Sequence, residues 1–153
     1  MKKHKLLMIM LLCLLMMGCS NEFAQREYDS DQKIAQTADR YAESNSTLNK
    51  DKDGFSFAAS EFDGRETLWK DTVKEKQDIT MEISFSVSGG KAKVVHIDED
   101  GNVTTILECT SETVADGVVT KEVSLSEGKN RLKIVGYDCR DIDLEVSLSG
   151  NEE

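Results

Sequence analysis

Proline is absent from the 153 residues, and only two histidines are present. The missing proline is unusual for a chain with so many turn residues, and nothing in the pattern accounts for it. His4 stands among the first residues, so His96 is the single imidazole in the rest of the chain. One imidazole excludes an H-E-x-x-H helix and any two-histidine zinc site. No G-x-S-x-G elbow, Walker loop or G-x-G-x-x-G stretch occurs. Basic residues are also outnumbered, 19 against 29 acidic ones, for a net charge of −10. A surface of that sign repels phosphate backbones and anionic headgroups, which argues against a nucleic-acid function. Its plain role is to keep the protein soluble and monomeric.

Long apolar runs are lacking except at the start. Met1 to Lys5 is basic, Leu6 to Met17 is unbroken apolar sequence, and Gly18-Cys19 follows. The run has the length of a signal-peptide core and is too short to span a bilayer of about 30 Å. Leu15-Met16-Met17-Gly18-Cys19 resembles the lipobox of bacterial lipoproteins, with Met16 where leucine is usual. The resemblance implies that residues 1–18 are a signal peptide removed before Cys19. It also implies that the Cys19 thiol carries a diacylglyceryl group, whose two chains suffice for stable anchoring. Loss of Lys2, Lys3 and Lys5 would take the charge from −10 to −13. The expected location is the extracytoplasmic face of a cell membrane.

Residues 19–53 read as a polar stalk, some 30 Å in reach if wholly flexible. Ile34, Ala35, Ala38, Tyr41 and Ala42 fall on one helical face, so a short helix is expected over 30–43. From Gly54 the period changes to two. Ile79, Met81, Ile83, Phe85 and Val87 alternate with polar residues, as do Ile142, Leu144, Val146 and Leu148. Each set marks a strand with one buried and one wet face. Residues 91–97, 103–109, 118–125 and 131–137 are rich in β-formers, and 55–62 and 66–73 are weaker strands. Clusters such as Ser88-Gly89-Gly90 and Asp98-Glu99-Asp100-Gly101-Asn102 separate them. About eight short strands over 54–149 predict an all-β domain. The expected fold is an antiparallel β-sandwich of jelly-roll or immunoglobulin-like type, with 150–153 as a tail.

Cys13 leaves with the leader, which puts Cys109 and Cys139 together as the remaining pair. In an extracytoplasmic protein they form either a disulfide or two separate buried thiols. Asn49-Lys50-Asp51-Lys52-Asp53-Gly54 matches the first half of a calcium loop, but its twelfth position is Ser60. Asp98 and Asp100 lie in a stretch better suited to a hairpin turn. Asp51, Asp53, Asp98 and Asp100 are thus weak calcium candidates, and no cofactor or metal is expected. The pairs Glu61 with Asp63 and Asp138 with Asp141 are what chance gives among 29 acids. They lack the fixed separation across a cleft that a glycosidase needs. His96, mid-strand, reads as a packed histidine. Trp69 and Tyr137 either fill the core or stack a sugar on an exposed face.

Three blocks, Glu61 to Trp69, Val95 to Thr105 and Asn130 to Cys139, are similar to small lipoproteins of Gram-positive anaerobic bacteria. That resemblance implies localisation and domain class, and no catalytic residue. The sequence therefore points to a non-enzymatic binding or accessory module at the cell surface, its partner an envelope protein or a captured ligand. The alternatives are a glycan-binding module using Trp69 and Tyr137, a small hydrolase with a cleft around His96 or two carboxylates, and a purely structural surface lipoprotein.

Overall fold

The computed structural model describes residues 25–113 and 117–150. The expected signal peptide and the lipid-bearing Cys19 lie outside the described residues. Among the described residues, helical residues 25–28 and the helical turn α1 (Asp31–Ile34) precede eight strands: β1 (Arg40–Ser44), β2 (Thr47–Lys50), β3 (Gly54–Val73), β4 (Gln77–Ser86), β5 (Gly89–Ile97), β6 (Val103–Thr110), β7 (Val119–Leu125) and β8 (Gly128–Gly150). All strand pairs are antiparallel.

The sandwich is built on one long ribbon of β3 and β8, paired from Gly54–Ser147 to Val73–Gly128. The second half of β8 also pairs with β4, which pairs with β7. The first half of β8 pairs instead with β5, which pairs with β6. The ribbon thus belongs to two sheets and bends from one into the other. Register shifts between Phe62 and Gly64 and between Thr67 and Trp69 are the bulges that allow a strand to change sheets. The bend also needs glycine. Gly64 has φ +110°, and a Cβ there would lie 2.2 Å from the Arg40 carbonyl oxygen. A Cβ at Gly136 would lie 2.5 Å from the Phe62 ring.

The main core fills the space between the sheets. Phe55, Phe57, Met81, Ile83 and Phe85 face Val94, Leu132 and Ile134 within one buried cluster. The all-β antiparallel sandwich expected from the period-two pattern is therefore the fold.

Three expectations about its organisation are corrected. The helix over 30–43 is a single turn, Asp31–Ile34, and Arg40–Ser44 is a strand. Its apolar stripe was narrow and mostly alanine, so pairing with β3 outweighs it. Residues 40–53 are not stalk, because β1 and β2 run along β3 in a common register, broken only at Asn45 with φ 48°. The weaker strands at 55–62 and 66–73 are one bulged strand. The last two strands are likewise one, β8, with positive φ at Asp138 and Asp141 in place of a turn.

Residues 25–39 cover the outer face of the second sheet. Tyr28 and Ile34 pack on Val95, Ile97 and Val135 as a second small core. Charged groups are buried beside it. Glu27 and Arg65, each 2% exposed, form an ion pair. Lys133 is fully buried and donates to Gln36 O at 2.7 Å and to Asp39 Oδ1 at 2.9 Å. Arg131 donates to the Ala35 and Gln36 carbonyls, the last acceptors of the helical turn. Burial raises the Asp39 carboxyl, but hydrogen bonds from Lys133 and Thr67 outweigh it and its pKa falls. Burial lowers the Lys133 ammonium, with Asp39 opposing.

Candidate functional site

A groove of about 670 Å³ runs along the edge of β3. Lys50, Asp51 and Lys52, where β2 ends, form one side. Thr67 to Asp71 of β3 form the floor, and Asp39 and Arg131 close the other side. The groove exists because β1 stops pairing at Arg65. Among the described residues, no strand pairs with residues 66–73 on the side away from β8. Lys50 spans this opening and donates from Nζ to the Thr67 carbonyl at 2.8 Å. A second hollow continues past Lys70, Asp71 and Arg131 toward Asp98 and Lys129.

Trp69 lies at the bulge between Thr67 and Trp69, opposite Leu132. Its ring packs on the main core and is half-buried, with the rest lining the groove. The residue is thus partly in the core and partly open to the groove. Tyr137 does not join it. Tyr137 packs with the second core on the outer face of its sheet, where the Lys91 ammonium lies 5.9 Å from its ring. The expectation of Trp69 and Tyr137 on one sugar-stacking face is corrected, because β8 places Tyr137 on the face that residues 25–39 cover.

Cys109 and Cys139 are both free and buried, so the disulfide is corrected to two separate thiols. Strand β5 runs between them. Ala92 pairs with Cys109 on one side and with Gly136 on the other, three residues before Cys139. Two strand spacings of about 4.8 Å exceed the Cα separation that a disulfide spans. Each sulfur instead contacts a carbonyl oxygen, Cys109 at 3.5 Å from Phe85 O and Cys139 at 3.0 Å from Lys91 O. Burial pushes the Cys139 thiol up to about 12 and raises that of Cys109.

His96 is 6% exposed, and its Nε2 lies 2.8 Å from Asn130 Oδ1. Fully buried Asn130 also bonds the Ser126–Gly128 turn through Ser126 N, Ser126 O and Gly128 O. The histidine therefore holds a hairpin in place, as its mid-strand position suggested. Asp98 accepts from Asn102 N at 2.8 Å, which makes that stretch a turn. Asp51 accepts from Asp53 N at 2.8 Å, and Asp53 lies 3.6 Å from Lys52. Asp100 lies in the same turn as Asp98, and no group of three ligating side chains occurs among the described residues. Asp63 accepts from Asp138 N at 2.6 Å at the bend, while Asp141 accepts from the Ser88 hydroxyl at 2.7 Å. These carboxylates are committed to shaping loops.

Sequence reasoning missed Glu66, which is 9% exposed and whose Oε2 has no hydrogen-bond partner. Burial pushes its carboxyl up to about 7, with nearby Glu43 and Asp39 adding and Lys50 opposing. Among neighbours such as Arg65, Thr67, Lys70 and Asp71 it carries no sequence signal that separates it from an ordinary surface acid.

No protein-family model and no curated protein matches the chain. Solved structures match it with TM-scores below 0.5. The N-terminal cellulose-binding domain from Cellulomonas fimi β-1,4-glucanase C matches with TM-score 0.43 and 14% identity, over 74% of this chain and 88% of that one. A mutant family 29 carbohydrate-binding module complexed with mannohexaose matches with TM-score 0.42 and 10% identity, over 74% and 82%. A carbohydrate-binding module from Cellvibrio mixtus lichenase 5A, in complex with cellotriose, matches with TM-score 0.40 and 10% identity, over 74% and 91%.

Proposed function

We propose that this protein is a lipid-anchored, extracytoplasmic binding module without catalytic activity, and that its edge groove takes a carbohydrate. The observation that carries the reading is Trp69, held in place by the core yet partly open to a polar groove. The apolar face of a sugar ring stacks on an indole, while hydroxyls need nearby donors and acceptors to fix their orientation. Lys50, Asp51, Thr67, Asp71 and Arg131 supply both kinds around the ring. The groove is shallow and mixed in charge, which suits a solvated chain better than an apolar ligand. The lipobox-like leader supports the anchoring. It would place the groove outside the cell, where polysaccharides are found.

Trp69 is the only tryptophan, so its emission reports the groove directly. The full chain in detergent, titrated with a panel of soluble oligosaccharides, should show a saturable change in emission. Trp69→Ala should weaken the matching binding in calorimetry while the chain stays folded. An emission spectrum that no oligosaccharide changes would overturn the carbohydrate reading and leave a protein-binding module.

A further inference from the structure

A second aromatic side chain stands along the same uncovered edge. Tyr41 on β1 is 45% exposed, and only Val118 shares the status of large exposed hydrophobic among the described residues. The β1 register sets Tyr41 opposite Gly64. With no side chain at Gly64, the tyrosine ring reaches Phe62, centroid to centroid 6.2 Å and 26° from parallel. Phe62 is 1% exposed and meets Phe57 edge-on at 5.2 Å. The Tyr41 ring therefore has one face fixed on the core and the other toward solvent.

Glu66 comes next on that face of β3, two residues beyond Gly64. It is nine-tenths buried and keeps one oxygen without a partner. The charged groups around it are Glu43 from β1, Lys50 from β2 and Asp39 from the N-terminal segment, with the Tyr41 hydroxyl also close enough to feel its charge. From Gly64 to Trp69 the strand runs about 15 Å. Among the described residues, no strand pairs with the second part of that stretch on the side away from β8.

We propose that the binding site runs along the β3 edge from Trp69 to Tyr41, with Tyr41 as a second stacking platform and buried Glu66 beneath the stretch between them. The inference rests on the carbohydrate reading and narrows it to a chain of several sugar units. A platform separation near 15 Å calls for a chain longer than a disaccharide.

The test is calorimetry on the full chain with cellobiose and cellohexaose, run beside mannobiose and mannohexaose. The hexasaccharide of the series that binds should bind more tightly than its disaccharide. Tyr41→Ala should weaken the hexasaccharide about three- to tenfold, the size of one aromatic contact, and leave the disaccharide unchanged. Tyr41→Phe should keep wild-type affinity for both, and Trp69→Ala should weaken both. Unchanged hexasaccharide affinity in Tyr41→Ala overturns the extended site while leaving the carbohydrate reading intact. Absence of binding by the wild-type chain in both series removes the extended site, and it counts against the carbohydrate reading itself.

Discussion

The two faces of the second sheet are buried by different means. Its inner face carries Val94, Leu132 and Ile134, which meet the apolar face of the first sheet. Its outer face carries Arg65, Lys133 and Val135, and these lie under residues 25–39. Apolar packing on the inner face supplies free energy in proportion to area but is tolerant of orientation. The ion pairs on the outer face add little net stability, since desolvation offsets most of their attraction. What they supply is position. Glu27 meets Arg65 as well as Lys33 of its own segment, and Asp39 meets Lys133, so two buried cations on the sheet fix where the segment docks.

Substitutions can separate these two roles. Phe57→Ala should cost about 3–5 kcal/mol, because it opens a cavity where the ring meets Phe62. Arg65→Ala should cost less, about 1–3 kcal/mol, because Lys33 still meets one Glu27 oxygen at 3.1 Å while the other is left buried without a partner. The comparison is sharpened by replacing both partners. The double variant Glu27→Leu with Arg65→Leu should unfold in urea within about 1 kcal/mol of wild type, as buried pairs replaced by apolar groups often do. If the double variant is as unstable as the single one, the pair contributes net energy and the division of roles fails.

Glu66 is a smaller effect with a definite sign. Its folded-state pKa of about 7 lies above the ordinary value of 4.5, so the folded protein binds the proton more tightly than the unfolded chain. No penalty exists below pH 4.5, where both states are protonated. Stability then falls as pH rises from about 4.5 to 7, by at most about 3 kcal/mol. Glu66→Gln should flatten that part of the curve and raise the midpoint of thermal unfolding at pH 8. An identical pH profile in the variant would mean that the carboxylate is well solvated.

The inner face is what the sequence makes legible. A strand between core and water must alternate, so Ile79 to Val87 and Ile142 to Leu148 are visible as strands of the sandwich. Strand β3 is less visible because neither face is simply wet. One faces the core, and residues 25–39 cover much of the other, so Arg65 sits buried where alternation predicts water. The edge strand β1 is invisible for the opposite reason, being exposed along most of its length, with no burial to imprint a period. Tyr41 therefore reads as part of a helical stripe with Ile34 and Ala38. Of the groove, Trp69 was legible as a rare aromatic, whereas Glu66 and Lys133 look like ordinary surface charges. Their burial depends on which segment folds over them, and that is set by long-range register.

The two thiols give the smallest effect and test the sandwich register itself. With β5 between them, Cys109 and Cys139 are separate, and a reductant should leave the thermal midpoint unchanged. A bond closing that loop would instead add about 3–4 kcal/mol in the chain-entropy model. Both thiols should also resist alkylation at pH 8, since burial holds them protonated and only the thiolate reacts. Labelling should then follow unfolding, with both sites modified together in urea. A fall in the midpoint on reduction would show the cysteines joined and would require β6 and β8 to approach without β5 between them.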